Sequence, residues 1–256
     1  MKKKYELTEN TKEIDGVTLY QIRALIDIPE KPVKIGDLGG YIQTEDNLSH
    51  EGRCWVRNNA DVYDNACVFG DAQVYHNACV SGKAQVFGNA RIWGEAHVSG
   101  DAMVYGSASV FDRAQVYDKA KVYGDTSVYN DAQIYGWASV QGNASVHNNA
   151  QVFNKTRVFG EATVYGDARV FNNAWVYGNA TLSGGDWKKN PISIIGSKNS
   201  VSHCDINSIR IGCITLTFNE WLEQFEYIGE ENGYTKKEIK EYKMYIKLII
   251  KLNKTT

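Results

Sequence analysis

Asp61, Cys79 and His97 stand eighteen residues apart in the chain, and Ser81 and Ser99 keep the same interval two positions further on. A thiol, an imidazole and a carboxylate side by side are the ingredients of nucleophilic catalysis: the imidazole takes the thiol proton and the carboxylate orients the imidazole. With two serines beside them, the same groups would form a polar notch able to hold a ligand by hydrogen bonds alone. Either chemistry requires an element that sets residues eighteen apart next to one another. Helices and hairpins do not; a chain that coils onward with an eighteen-residue turn does.

Such a coil is written into the sequence. From Val56 to Leu182 every sixth residue is Val, Ile or Leu, without an insertion, and from Ala60 to Ala180 the small residues run in step, broken only by Thr126 and Thr156. The unit reads Ala-x-Val-aromatic-Gly-Asn. In an extended chain, side chains alternate between faces, so Ala and Val point inward while x and the aromatic point outward. Two residues after each aliphatic position stands Gly, Asn or Asp, with His76 the exception, and these types tolerate positive φ at a corner. A period of six fits neither the 3.6 of a helix nor a reversing hairpin.

The pattern resembles the hexapeptide left-handed parallel β-helix, in which three units make one triangular coil. That resemblance implies the handedness and an all-β solenoid of about seven 18-residue coils, roughly 34 Å long at the ~4.8 Å strand spacing. Each coil covers its neighbours, so both ends need caps against end-to-end polymerisation. Residues 1–50 read as an N-terminal β cap and lead-in to the solenoid, with an Asp15-Gly16 hairpin turn between a strand near Thr11 to Ile14 and the run Val17 to Ile28. Residues 51–185 are the β-helix and 186–216 an irregular β segment. Residues 217–256 form a helical cap, with capping boxes at Thr217/Glu220 and Thr235/Glu238.

Stacking at eighteen residues turns the sequence into faces. One column carries Asp61, Cys79 and His97 with Ser81 and Ser99 interrupting an aromatic ladder beside it, a candidate binding notch. A second candidate is an aromatic contact face built on Tyr117, Tyr135, Phe153, Phe171 and Trp175, because exposed aromatic area marks contact surfaces. No catalytic residue is assigned: a flat, loop-free face offers neither oxyanion hole nor lid. His76, His97 and His147 fall on a corner and two different faces, so no zinc site and no cofactor is expected.

Composition narrows the partners. A formal net charge of -2, with 28 basic and 30 acidic residues, gives no footprint for direct nucleic-acid binding. Five cysteines without CxxC spacing point away from disulfides and zinc and toward a reducing cytoplasm. Met1 to Lys4 is basic, but Tyr5-Glu6-Leu7-Thr8 follows where the apolar stretch of a signal peptide would stand. No run is apolar enough for a membrane helix.

The flanks carry a further resemblance. Tyr5 to Thr8, Gly16 to Leu25, Gly36-Asp37-Leu38-Gly39-Gly40-Tyr41-Ile42 and Asn47 to Gly52 resemble the N-terminal block of hexapeptide-repeat proteins of phages and prophages, related to the YdcK-like β-solenoids. Ile195, Gly196, Ser197, Lys198 and Asn199, followed by Ile211-Gly212-Cys213 and a Phe-rich helix, are similar to their C-terminal block. The resemblance implies a phage or prophage origin and a cytoplasmic setting in a bacterial host. The expected function is a non-enzymatic, rigid binding scaffold engaging a host protein, such as a defence component, as a homodimer or homotrimer. The alternatives are sequestration of a small nucleotide-like signal at a subunit interface and a hexapeptide-type acyltransferase.

Overall fold

A computed structural model describes residues 3–30 and 32–253; Met1, Lys2 and residues 254–256 of the expected end segments lie outside the described residues. The hexapeptide units form three parallel sheets, one per face of a prism. Each unit contributes a two-residue strand, the x and Val positions, and consecutive rungs pair in register at eighteen residues. On the first face the order is Asp61, Cys79, His97, Gln115, Gln133, Gln151 and Arg169. The second face carries Cys67, Gln85, Met103, Lys121, Ser139, Arg157 and Trp175. The third runs from Trp55 and Gln73 to Thr163 and Thr181.

The interior follows from the alternation. The Ala and Val columns are buried throughout, so each coil's core is a layer of small and branched side chains covered by the layers above and below. Thr126 and Thr156 fit the Ala column because each hydroxyl donates to a backbone carbonyl, Thr126 to Tyr123 at 2.7 Å and Thr156 to Val170 at 3.3 Å. Corner residues take positive φ as the composition requires, His76 included at 61°.

The solenoid has about eight turns, more than the seven expected, because it overruns the strict period at both ends. At the start, β3 (Leu38–Ile42) pairs parallel to the first rung, Tyr41 facing Asp61, a step of twenty residues. At the finish, Asp186–Trp187 pairs with Arg169–Val170 after a step of seventeen. The 17-residue step brings Trp187 over the end of the core, its indole Nε1 donating to Gly184 O at 2.7 Å.

Both ends are closed. β1 (Tyr5–Ile14) and β2 (Val17–Ala24) form the hairpin, with Asp15 and Gly16 at φ 50° and 79°, and continue antiparallel onto β3 at the edge of the first sheet. At the other end Ser193–Ile195, Ser200–Asp205, Ser208–Ile211 and Ile214–Thr217 make a four-stranded antiparallel sheet. It is joined to the last coil by Ser183 N donating to Cys204 O at 3.0 Å. Two helices pack on it: α1 (Phe218–Glu231), with Thr217 and Glu220 closing the capping box, and α2 (Lys236–Asn253), where Thr235 and Glu238 bond reciprocally. Tyr242, Ile246, Ile249 and Ile250 of α2 are buried against Val201, Ile209 and Trp221.

Candidate functional site

The notch residues do share one place: Asp61, Cys79 and His97 sit on adjacent rungs of the first face. Among the described residues no hydrogen bond joins Cys79 to His97. Cys79 is half-buried, and burial pushes its thiol pKa up, so the reactive thiolate is disfavoured. The Tyr63 hydroxyl lies 3.8 Å from its Sγ, and the Ser81 side chain also bonds it. Burial likewise raises the Tyr63 hydroxyl to about 12. His97 is exposed.

Asp61 is engaged elsewhere. Lys12, reaching from β1, sets its Nζ 2.5 Å from Asp61 Oδ1 and 4.2 Å from the Tyr41 ring centroid. Burial raises the Asp61 carboxyl pKa and Lys12 opposes this. The N-terminal hairpin therefore covers the foot of the notch, a long-range contact that no local spacing signals.

Tyr117, Tyr135, Phe153 and Phe171 form one continuous ladder on the first face, stacked with ring centroids 4.8–5.0 Å apart and planes nearly parallel. Trp175 lies on the second face, edge-on to Phe159 at 6.2 Å. Stacking covers both faces of each inner ring, so the ladder residues are half-buried instead of openly exposed.

Gly196, Ser197, Lys198 and Asn199 form the turn that clamps the C-terminal sheet to the helices. The Tyr242 hydroxyl accepts from the Lys198 and Asn199 amides at 3.0 and 2.5 Å and donates to Asn199 O at 2.7 Å. Lys198 Nζ donates to Asn232 O and Gly233 O, both at 2.9 Å, and so caps the end of α1. A Cβ on Gly196 would lie 2.7 Å from Asn199 O. Beside this clamp is a cavity of about 130 Å³ lined chiefly by Ile211, Trp221, Phe225, Tyr234, Ile239 and Tyr242.

Large exposed apolar side chains gather on the same cap: Ile195, Ile206, Leu222, Tyr227, Met244 and Leu248. On the prism the exposed set includes Trp137, at a corner and 62% exposed. Trp137 was not among the sequence candidates. Its signal was that a bulky ring replaces the Asn, Lys or Asp of the other coils at that corner position. Among the described residues no group of three or more His, Cys, Asp or Glu could hold a metal ion, and no helix is long and apolar enough to cross a membrane.

The class defined by these observations is a capped parallel β-solenoid. A family model described as the YdcK beta-solenoid repeat matches residues 96–111 and 162–178, and over those residues the chain is similar to that repeat. No curated protein matches it.

Proposed function

We propose that this chain is a rigid, non-enzymatic binding scaffold of phage or prophage origin that engages a host protein through its C-terminal cap. The observation that carries this reading is the apolar surface of the two helices: Leu222 and Tyr227 on α1, and Met244, 64% exposed, with Leu248 one turn later on α2. Exposed apolar side chains brought together on two adjacent helices are the composition of a protein contact. Unbroken coils supply stiffness, and the protonated Cys79 thiol together with the Lys12-bound Asp61 argues against nucleophilic turnover at the notch. The setting is the bacterial cytoplasm.

Purification from a bacterial host, identification of the co-purified protein and reconstitution from two purified components test the reading. The expected result is a stoichiometric complex that is lost in the double variant Met244→Glu, Leu248→Glu while thermal stability is retained. Acyl-group turnover abolished by His97→Ala, or a partner that binds the double variant as well as the wild type, would overturn it.

A further inference from the structure

The corner between the first and second faces differs in charge from the other two edges. Its column reads Asn65, Lys83, Asp101, Lys119, Trp137 and Lys155, whereas the corner between the second and third faces carries Asp71, Asp125 and Glu161, and its one cation, Arg53, is paired with Asp71 and Glu30. On the third edge the single cation, Arg113, is held by Asp131 at 2.7 Å. In a chain with net charge -2, positive charge is thus sorted onto one edge. Among the described residues, neither Lys119, Lys155, Lys188 nor Lys189 forms an ion pair within the chain.

Trp137 stands in the middle of that edge. Lys119 Nζ lies over its ring, 4.4 Å from the centroid, and so occupies one face and fixes the indole from behind. The other side opens onto a groove of about 920 Å³ that runs from Trp137 past Lys155 to Lys188 and Lys189. Its floor is amide: Asn154, Asn172, Asn173 and Asn190 line it, and no carboxylate does. From Trp137 to Asn190 the groove crosses three coils, roughly 14 Å at the ~4.8 Å strand spacing. A flat aromatic wall, amides, one cation part-way along and two at the far end have the chemistry to take an aromatic base and its phosphates.

We propose that this groove binds a nucleotide carrying more than one phosphate. The base stacks on the open face of Trp137, the asparagine amides meet its polar edge, and Lys155, Lys188 and Lys189 take the phosphates. The inference stands on the basic edge alone and is independent of the apolar cap, so either can fail without the other.

The test is titration of the full chain with ATP, followed by calorimetry and tryptophan fluorescence at low and high salt, with tripolyphosphate and a twenty-residue oligothymidylate as comparison probes. Expected are quenching by ATP, affinity that falls with salt, and a loss of about tenfold on Trp137→Ala that tripolyphosphate does not show. The variant Lys188→Gln, Lys189→Gln, with unchanged melting temperature, is expected to weaken both probes. Absence of ATP binding at low salt overturns the proposal. So do equal responses of ATP and tripolyphosphate to Trp137→Ala, and oligothymidylate binding far tighter than ATP, the mark of a nucleic-acid surface. A salt-sensitive change in oligomeric state upon Lys188→Gln, Lys189→Gln, with ATP affinity intact, overturns it in favour of contact between copies through opposite edges.

Discussion

Lys4, only 1% exposed, donates from its ammonium group to the carbonyl oxygen of Cys54 at 2.9 Å. The same Nζ reaches Glu51 O at 3.4 Å and Cys54 Sγ at 3.1 Å, and the adjacent Tyr5 hydroxyl donates to Leu48 O at 2.6 Å. Two neighbouring side chains thus satisfy backbone acceptors of the first coil, which would otherwise be an open edge. Lys4→Met keeps the length of the side chain but leaves buried carbonyls unpaired. It is expected to cost about 1–3 kcal/mol, read as a lower melting temperature. If the edge then pairs with other molecules, light scattering will rise with protein concentration, and an unchanged melting temperature would remove Lys4 from the capping role.

The corners make a second prediction. Gly124 has φ +80°, and a Cβ there would lie 2.8 Å from Gly142 O in the next coil. Asn130 and Asn148 adopt φ 55° and 58° at another edge, so the solenoid accommodates Asn in this conformation. Gly124→Asn is expected to destabilise by about 1 kcal/mol and Gly124→Val by more than 2, because β-branching adds steric cost to positive φ. Thermal melts of the two variants should keep that order.

Cysteine labelling gives a third. Cys213 is exposed, whereas Cys54 and Cys204 are buried and Cys79 is half-buried. Burial raises the thiols of Cys54, Cys79 and Cys204, the last to about 11. Only the thiolate is nucleophilic, and burial lowers both its fraction and its access to reagent, so with iodoacetamide near neutral pH, Cys213 should be alkylated well before those three. His97→Ala should leave the Cys79 rate unchanged. Mass-spectrometric peptide mapping over time checks both, and a Cys79 rate that falls on His97→Ala would restore the dyad.

What could be read in advance depended on periodicity. The Ala and Val columns, the eighteen-residue register that sets Cys79 beside His97, the Asp15-Gly16 turn and both capping boxes all follow from short-range pattern. The contacts that decide the chemistry do not. Lys12 meets Asp61 across forty-nine residues of chain, and Lys4 reads as a solvated basic residue until its ammonium is found beneath the first coil. Trp187 was hidden because the period shortens by one residue at the last rung. The four-stranded sheet of the C-terminal cap pairs by tertiary register, to which its short β-branched runs give no clue.

The junction between prism and cap supplies the last prediction. His203 is 7% exposed, its ring edge-on to Trp187 at 4.7 Å and tilted against Phe218 at 5.7 Å, and its Nε2 has no hydrogen-bond partner. Burial pushes its pKa below the usual 6.5, an effect that backbone hydrogen bonds at Ile206 and Asp205 and the Asp205 charge oppose to a smaller extent. Between the folded and unfolded pKa values the unfolded chain binds more protons, so stability rises with pH through that window. The neutral imidazole's contribution is fully present above pH 6.5 and is lost as pH falls through the lower folded value. The melting temperature should therefore hold steady from about pH 8 to 7 and decline below 6.5. That is well above the range where the lowered carboxyls of Glu220 and Glu238 begin to protonate. His203→Phe, which fills the aromatic contact without a titrating nitrogen, should flatten the decline between 6.5 and 5 and leave the steeper acid limb in place. If the two proteins lose stability in parallel across that interval, the junction is not where the proton acts.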